Sequence, residues 1–287
     1  MLGRGVAEAL RTRPFETLVA PDVRDAAAEA DLFLLNLECC ISERGEAWPA
    51  RVFHFRAPPV AAEFLAWLGV DCVTLANNHA LDFGPEALLD TLEWLRRAGV
   101  AFVGAGADEE EARQPAVVNG LSIVGVTDHP AEYAAGPDRP GVAYAELDGR
   151  LPEWLAAAAR DALVTPHWGP NMVAEPLPRV RAAAAALVEA GAALVAGHSA
   201  HVFHGVADRV LYDLGDFLDD YAVDDELRND LGLLFRVSLS DGRIETIPLK
   251  LEYTHTRLAD GEDAEWIRRR FESACARLAG QGAANAH

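Results

Sequence analysis

The chain predicts an α/β fold built around a mostly parallel β-sheet. Three observations carry this. Short apolar runs of strand length alternate with helix-length stretches. Glycines close the helical stretches. Nearly every apolar run ends in polar residues, as strands do when they deliver side chains to one edge of a sheet.

The elements follow in order. The first strand is expected at 32–37, carrying Asn36 with Glu38 just beyond it. A helix at 60–68, stopped by Gly69, leads to a strand at 72–76 that runs into Asn77-Asn78-His79. A second helix, 85–98, is stopped by Gly99 and feeds a short strand at 101–103. A strand at 122–127 precedes a Pro/Gly-rich connector, 130–141. The helix at 151–159 leads to a strand at 162–165, then His167-Trp168-Gly169. The helix at 178–190, closed by Gly191, feeds a strand at 192–196, whose end is Gly197-His198-Ser199-Ala200-His201. A seventh strand is expected at 210–214. Longer strands at 231–239 and 243–251 flank Ser240-Asp241-Gly242, which predicts an antiparallel hairpin. A last helix, 264–279, is expected to pack outside. Without repeats or a low-complexity linker, residues 1–280 are expected to form one domain, and 281–287 a loose tail.

Bulk composition narrows the function. Of 287 residues, 51% are hydrophobic, enough for a sizeable core, and the net charge is −20. That charge argues against nucleic acid and anionic membrane surfaces as partners. A polyanionic substrate would need a metal or a local Arg cluster to reverse the field. The opening residues lack the apolar segment of a signal peptide. No run approaches the roughly 20 apolar residues that span a bilayer. Cys39, Cys40, Cys72 and Cys275 show no ligand or framework spacing, so free thiols in a reducing cytoplasm are expected.

The strand ends carry the chemistry. In open α/β sheets, ligands bind beyond the carboxyl ends of the strands. There this chain places Asn36 and Glu38; Asn78, His79 and Asp82; His167; His198 and His201; and Asp213 and Asp216. One carboxylate, one amide and several imidazoles suit a divalent metal with mixed N/O ligands, and a single carboxylate can bridge two ions. Each residue also has a plainer reading. Glu38 reads as a solvated acid, Asn77-Asn78 as a turn, His79 as a helix cap, His167 as a packed core histidine, and His198 and His201 as surface residues. Asp213 and Asp216 read as part of an acidic loop. Those readings weaken together, because all of these groups fall at strand ends of one sheet.

These blocks resemble the CapA-like family, named for poly-γ-glutamate capsule synthesis, within the calcineurin-like metallophosphoesterase superfamily. The resemblance rests on Met1-Leu2-Gly3-Arg4-Gly5, Asn36-Leu37-Glu38, Phe55-Arg56-Ala57-Pro58, the run from Leu75 to Gly84, Val103-Gly104-Ala105-Gly106, His167-Trp168-Gly169, the run from Gly197 to Val202, and Leu214-Gly215-Asp216-Phe217. It implies a metallophosphoesterase-like sandwich of two mixed β-sheets flanked by helices, with a metal site at one edge. It further implies Glu38 as bridging acid, Asn78 as a ligand, and His167, His198 and His201 as imidazole ligands. His79 would be the general acid or an orienting group, and Arg4 and Arg56 would bind an anionic substrate group. Asp216, which stands where the family commonly has Asn, would be a further substrate-binding residue.

The family's opening block is Gly-Asp-Val-Met-Leu-Gly-Arg, whose Asp is a ligand at the end of a central strand. Met1 aligns with the Met of that block, so the first strand and its Asp are expected to be missing. A start placed at an internal methionine is preferred over a truly short chain, because losing a central strand leaves two sheet edges unpaired. Metal binding is accordingly expected to be weakened, with one ion or none.

The leading expectation is a metal-dependent hydrolase in which water activated by Mn, Fe or Zn attacks a phosphoester or amide-type bond of a small molecule or peptide. The alternatives are metal-independent acid–base chemistry on a peptide, epimerase-like, with His79 and His201 as the pair, and a non-catalytic partner in biosynthesis.

Overall fold

The computed structural model describes residues 1–284. The strands in chain order are β1 (Leu34–Asn36), β2 (Cys40–Ile41), β3 (Arg56–Ala57), β4 (Cys72–Thr74), β5 (Ala101–Val103) and β6 (Ala105–Gly106). Then come β7 (Ala116–Val118), β8 (Leu121–Thr127), β9 (Gly141–Val142), β10 (Ala162–His167) and β11 (Leu194–Ala196). The last are β12 (Val206–Ala207), β13 (Val210–Leu211), β14 (Leu231–Val237), β15 (Ile244–Glu252) and β16 (His255–Leu258). The helices are α1 (Arg4–Thr12), α2 (Pro21–Ala28), α3 (Val60–Leu68), α4 (Gly84–Ala98), α5 (Glu109–Arg113), α6 (Glu153–Ala159), α7 (Pro178–Glu189) and α8 (Gly261–Ala284).

The largest sheet has the order β12-β13-β11-β10-β8-β7. Its four central strands are parallel and its two edges antiparallel. One face is apolar against α6 and α7, through Val124, Val164 and Val195 meeting Leu155, Ala184 and Leu187. The alternate residues Ile123, Leu163 and Leu194 point the other way, as the two-residue strand period requires, and meet the second layer. That layer is in two pieces, a parallel sheet β1-β4-β5 and an antiparallel sheet β14-β15-β16. Helices α1 to α4 cover β1-β4-β5 with the largest apolar cluster, including Leu65, Leu88 and Leu92.

Between the pieces lies a cavity of about 630 Å³. It is lined along the full length of β1 and most of β14, and both are edge strands. Leu34, Leu35 and Asn36 are only half-buried although they lie inside the molecule.

The hairpin around Ser240-Asp241-Gly242 forms as expected, in a register that pairs Val237 with Ile244. Among the elements not anticipated, four bear on the layers. α1 and α2 lie in a charged stretch that offers few large apolar residues. β16 is polar in sequence yet completes the antiparallel sheet, and β7 adds an antiparallel edge to the six-stranded sheet. α8 runs on to Ala284, and residues 285–287 of the expected tail lie outside the described residues. Among the described residues no helix is long and apolar enough to cross a membrane.

Candidate metal and catalytic site

The sandwich brings the strand-end groups together. Glu38 follows β1 and is buried. Its Oε2 accepts a hydrogen bond from Asn36 Nδ2 at 3.0 Å. Asn77 donates in turn to Asn36 Oδ1 at 3.0 Å and to the Leu37 carbonyl at 2.9 Å. This amide chain fixes the carboxylate and leaves Oε1 without a partner. Two imidazole nitrogens, His79 Nε2 and His201 Nε2, each stand 4.0 Å from that oxygen.

His79 is anchored from behind. Its Nδ1 lies 2.7 Å from Asp82 Oδ2, and its ring packs edge-on against Phe55 at 4.4 Å. Asp82 is fully buried and also takes the Phe55 amide at 2.7 Å. Tyr133 donates to it at 3.3 Å, and Arg51 lies 3.6 Å away. The turn Asn77-Asn78-His79 is closed by the His79 amide donating to Asn77 Oδ1, and Asn78 Oδ1 is buried with no partner.

The other wall comes from the six-stranded sheet. His167 ends β10, is wholly buried, and neither ring nitrogen has a partner. His198 bridges to it from the next strand end, and its Nε2 lies 2.9 Å from Thr165 Oγ1. The segment 197–201 is held by Asp213, which accepts the amides of Ala200 at 2.8 Å and Gly215 at 2.9 Å. Ser199 and His201 both take positive φ, +124° and +60°. Such strain persists only where the surroundings over-determine it. Asp216 is turned to His201, with Oδ1 3.0 Å from Nδ1 and Oδ2 unpartnered.

Burial and charge compete throughout. Burial pushes the Glu38 carboxyl up, but His201, His79, the Met1 ammonium and His198 outweigh it and hold it below its usual value. Burial drives His167 well below the ordinary histidine value and His198 down to about 4. Burial alone would also lower His201, yet Asp216 and Glu38 carry it up to about 10. Burial raises Asp213 to about 7.

The donor chemistry suits a divalent cation. Glu38 Oε1 and Asn78 Oδ1 are buried acceptors with unmet capacity, and both His167 ring nitrogens, one an N–H and one an acceptor, are buried without partners, which native interiors avoid. The gap of 4.0 Å between Glu38 Oε1 and each facing Nε2 is somewhat wider than the roughly 3.3 Å between two ligands of one tetrahedral ion. Among the described residues no three His, Cys, Asp or Glu side chains already enclose a common point. A ligand imidazole must be neutral, so an ion at His201 would displace a proton.

The expected anion-binding residues divide. Arg4 lies beside the site, paired with Asp220 at 3.2 Å and 5.6 Å from the Phe55 ring centre. Arg56 lies over the Phe83 ring at 4.0 Å and donates to the Arg44 carbonyl, so its contacts are with the 44–56 loop rather than the histidines. Sequence reasoning placed Asp82 at a strand end but gave it no role, and it missed Arg51, Tyr133, Asp128 and His129. The signal for His129 was present, because Thr127-Asp128-His129 ends β8 as His167 ends β10.

Residues 1–221 match the family of bacterial capsule synthesis proteins PGA_cap. A probable polyglutamine synthesis accessory protein of Mycobacterium tuberculosis is 32% identical over 275 residues, covering 84% of this chain and 72% of that protein. The PGA biosynthesis protein CapA of Bacillus subtilis is 30% identical over 180 residues, 58% of this chain and 47% of its own length. The capsule biosynthesis protein CapA of Bacillus anthracis is 29% identical over 184 residues, 58% of this chain and 44% of its own. The α/β sandwich, the ordered strand-end blocks and this match over most of its length place the chain in the PGA_cap family of CapA-like capsule synthesis proteins, within the metallophosphoesterase superfamily.

Proposed function

We propose that this chain is a metal-dependent hydrolase acting on a phosphoester or amide-type bond of a small molecule or peptide. The observation that carries it is the set of buried, unpartnered polar atoms on Glu38, Asn78 and His167, with Glu38 Oε1 facing the imidazoles of His79 and His201. Glu38, Asn78, His167, His198 and His201 would hold the ion, of which Mn, Fe and Zn suit such donors. A bound divalent ion supplies Lewis acidity and a coordinated water of lowered pKa. His79, oriented by Asp82, presents Nε2 to protonate the leaving group. Asp216 fixes His201, and its free oxygen and Arg4 face the substrate side. The four cysteines are all unpaired thiols, which supports a reducing, cytoplasmic setting.

Metal content of the purified protein tests this. One bound ion of Mn, Fe or Zn, and loss of both ion and turnover in Glu38→Gln and His198→Ala, are expected. No ion after incubation with each metal, with turnover unchanged in His198→Ala, would sink the proposal.

A second reading is favoured by the two acid-backed imidazoles, His79–Asp82 and His201–Asp216, that face one carboxylate oxygen. Such a pair is equipped to exchange a Cα proton of a peptide without metal. Deuterium incorporation at a substrate Cα in EDTA would select it over hydrolysis. The accessory role in the names of the mycobacterial relatives keeps a third, non-catalytic reading, which measurable turnover dismisses.

A further inference from the structure

We propose that His129 is an additional metal ligand of this site, paired with His167. The proposal rests on the metal-dependent reading above. The two residues sit at neighbouring strand ends, since β8 and β10 are parallel and Thr127 stands opposite His167. The Thr127 hydroxyl fastens both segments, lying 2.8 Å from the His129 carbonyl and 3.2 Å from the His167 carbonyl. The ring centres are 5.2 Å apart and the planes 45° apart. Two imidazoles bound to one tetrahedral ion through bonds of about 2.1 Å have their centres about 5 Å apart. The spacing therefore already matches a shared ion.

The outer shell is built for the same purpose. Asp128 takes His129 Nδ1, leaving Nε2 as the only nitrogen free to ligate. The Asp128 side chain is only 4% exposed, and Arg179 binds its other oxygen at 2.5 Å. A carboxylate behind a ligating imidazole fixes the tautomer and makes the ring a better donor. Across the gap, His167 is fully buried with both nitrogens unmet. Plain ring stacking would leave that desolvation cost standing. The His129 side chain is 32% exposed, so an ion there would keep positions open to solvent and substrate.

His129→Phe separates ligation from packing, because it keeps a ring against His167 and removes the nitrogens. Cobalt(II) titration, read by calorimetry and by visible absorption, is the measurement. Affinity is expected to fall at least tenfold in His129→Phe and about tenfold in Asp128→Asn, with a changed absorption spectrum in both. Should His129→Phe fail to fold by circular dichroism, His129→Gln takes its place. Unchanged affinity and spectrum in the variants, beside a wild type that binds cobalt, would overturn the His129 assignment and leave the hydrolase reading intact. A wild type that binds no cobalt at millimolar concentration would overturn both.

Discussion

His79 owes its position to Asp82, a residue with no solvent contact of its own. The carboxylate holds Nδ1, so the reactive nitrogen Nε2 is the one pointed at Glu38. Replacing it with Asn keeps the shape but leaves His79 free to adopt the wrong tautomer. Asp82→Asn is expected to lower kcat by about 10²-fold or more, within the range for general acid–base groups, with little change in KM. Steady-state kinetics on an activated phosphoester, with the melting temperature as a folding control, checks this. At this scale much of the site was legible. Glu38, Asn78, His79, His167, His198 and His201 could be read because each follows an apolar run. The role of Asp82 and the place of His129 were not legible, because each depends on a partner: Asp82 acts through the ring of His79, and His129 stands against that of His167. Nothing in a one-dimensional pattern reports that β8 and β10 are neighbours. The packing of the Arg56 guanidinium on Phe83, from the next block, was hidden from the sequence for a related reason.

At the scale of elements, the segment 197–201 is bent into place by packing behind it. Gly197 sits where a Cβ would come within 2.4 Å of the Tyr212 carbonyl and 2.5 Å of Trp168 Nε1. Those two atoms are bonded to each other at 2.9 Å. Gly197→Ala must break that bond or push β11 and β13 apart. It is expected to cost about 2–4 kcal/mol, from overpacking and a lost buried hydrogen bond. A fall of several degrees in melting temperature would be seen, and metal affinity would drop with it, because His198 and His201 share the segment. The parallel strands and their helices were readable from apolar runs closed by glycine. α1 and β16 were not. α1 buries small residues such as Ala7 and Ala9 on its apolar side. β16 is held by backbone pairing with β15 rather than by a hydrophobic stripe.

For the whole molecule, the sandwich expected from the resemblance is present, but its second layer is divided. Backbone pairing tells which groups face the divide. The Leu37 amide donates to the Thr74 carbonyl, and β1 pairs with β4 in the register Leu34 to Cys72. In a parallel ladder this commits Leu35 to β4 and turns the amides of Leu34 and Asn36 the other way, along the cavity. Protection against hydrogen exchange follows hydrogen bonding rather than depth. The amides of Leu34 and Asn36 should therefore trade deuterium orders of magnitude faster than that of Leu35 between them. Equal protection of all three, measured residue by residue, would contradict this account. A sheet strand at the centre of the chain's own sandwich thus behaves on one side as interior and on the other as surface.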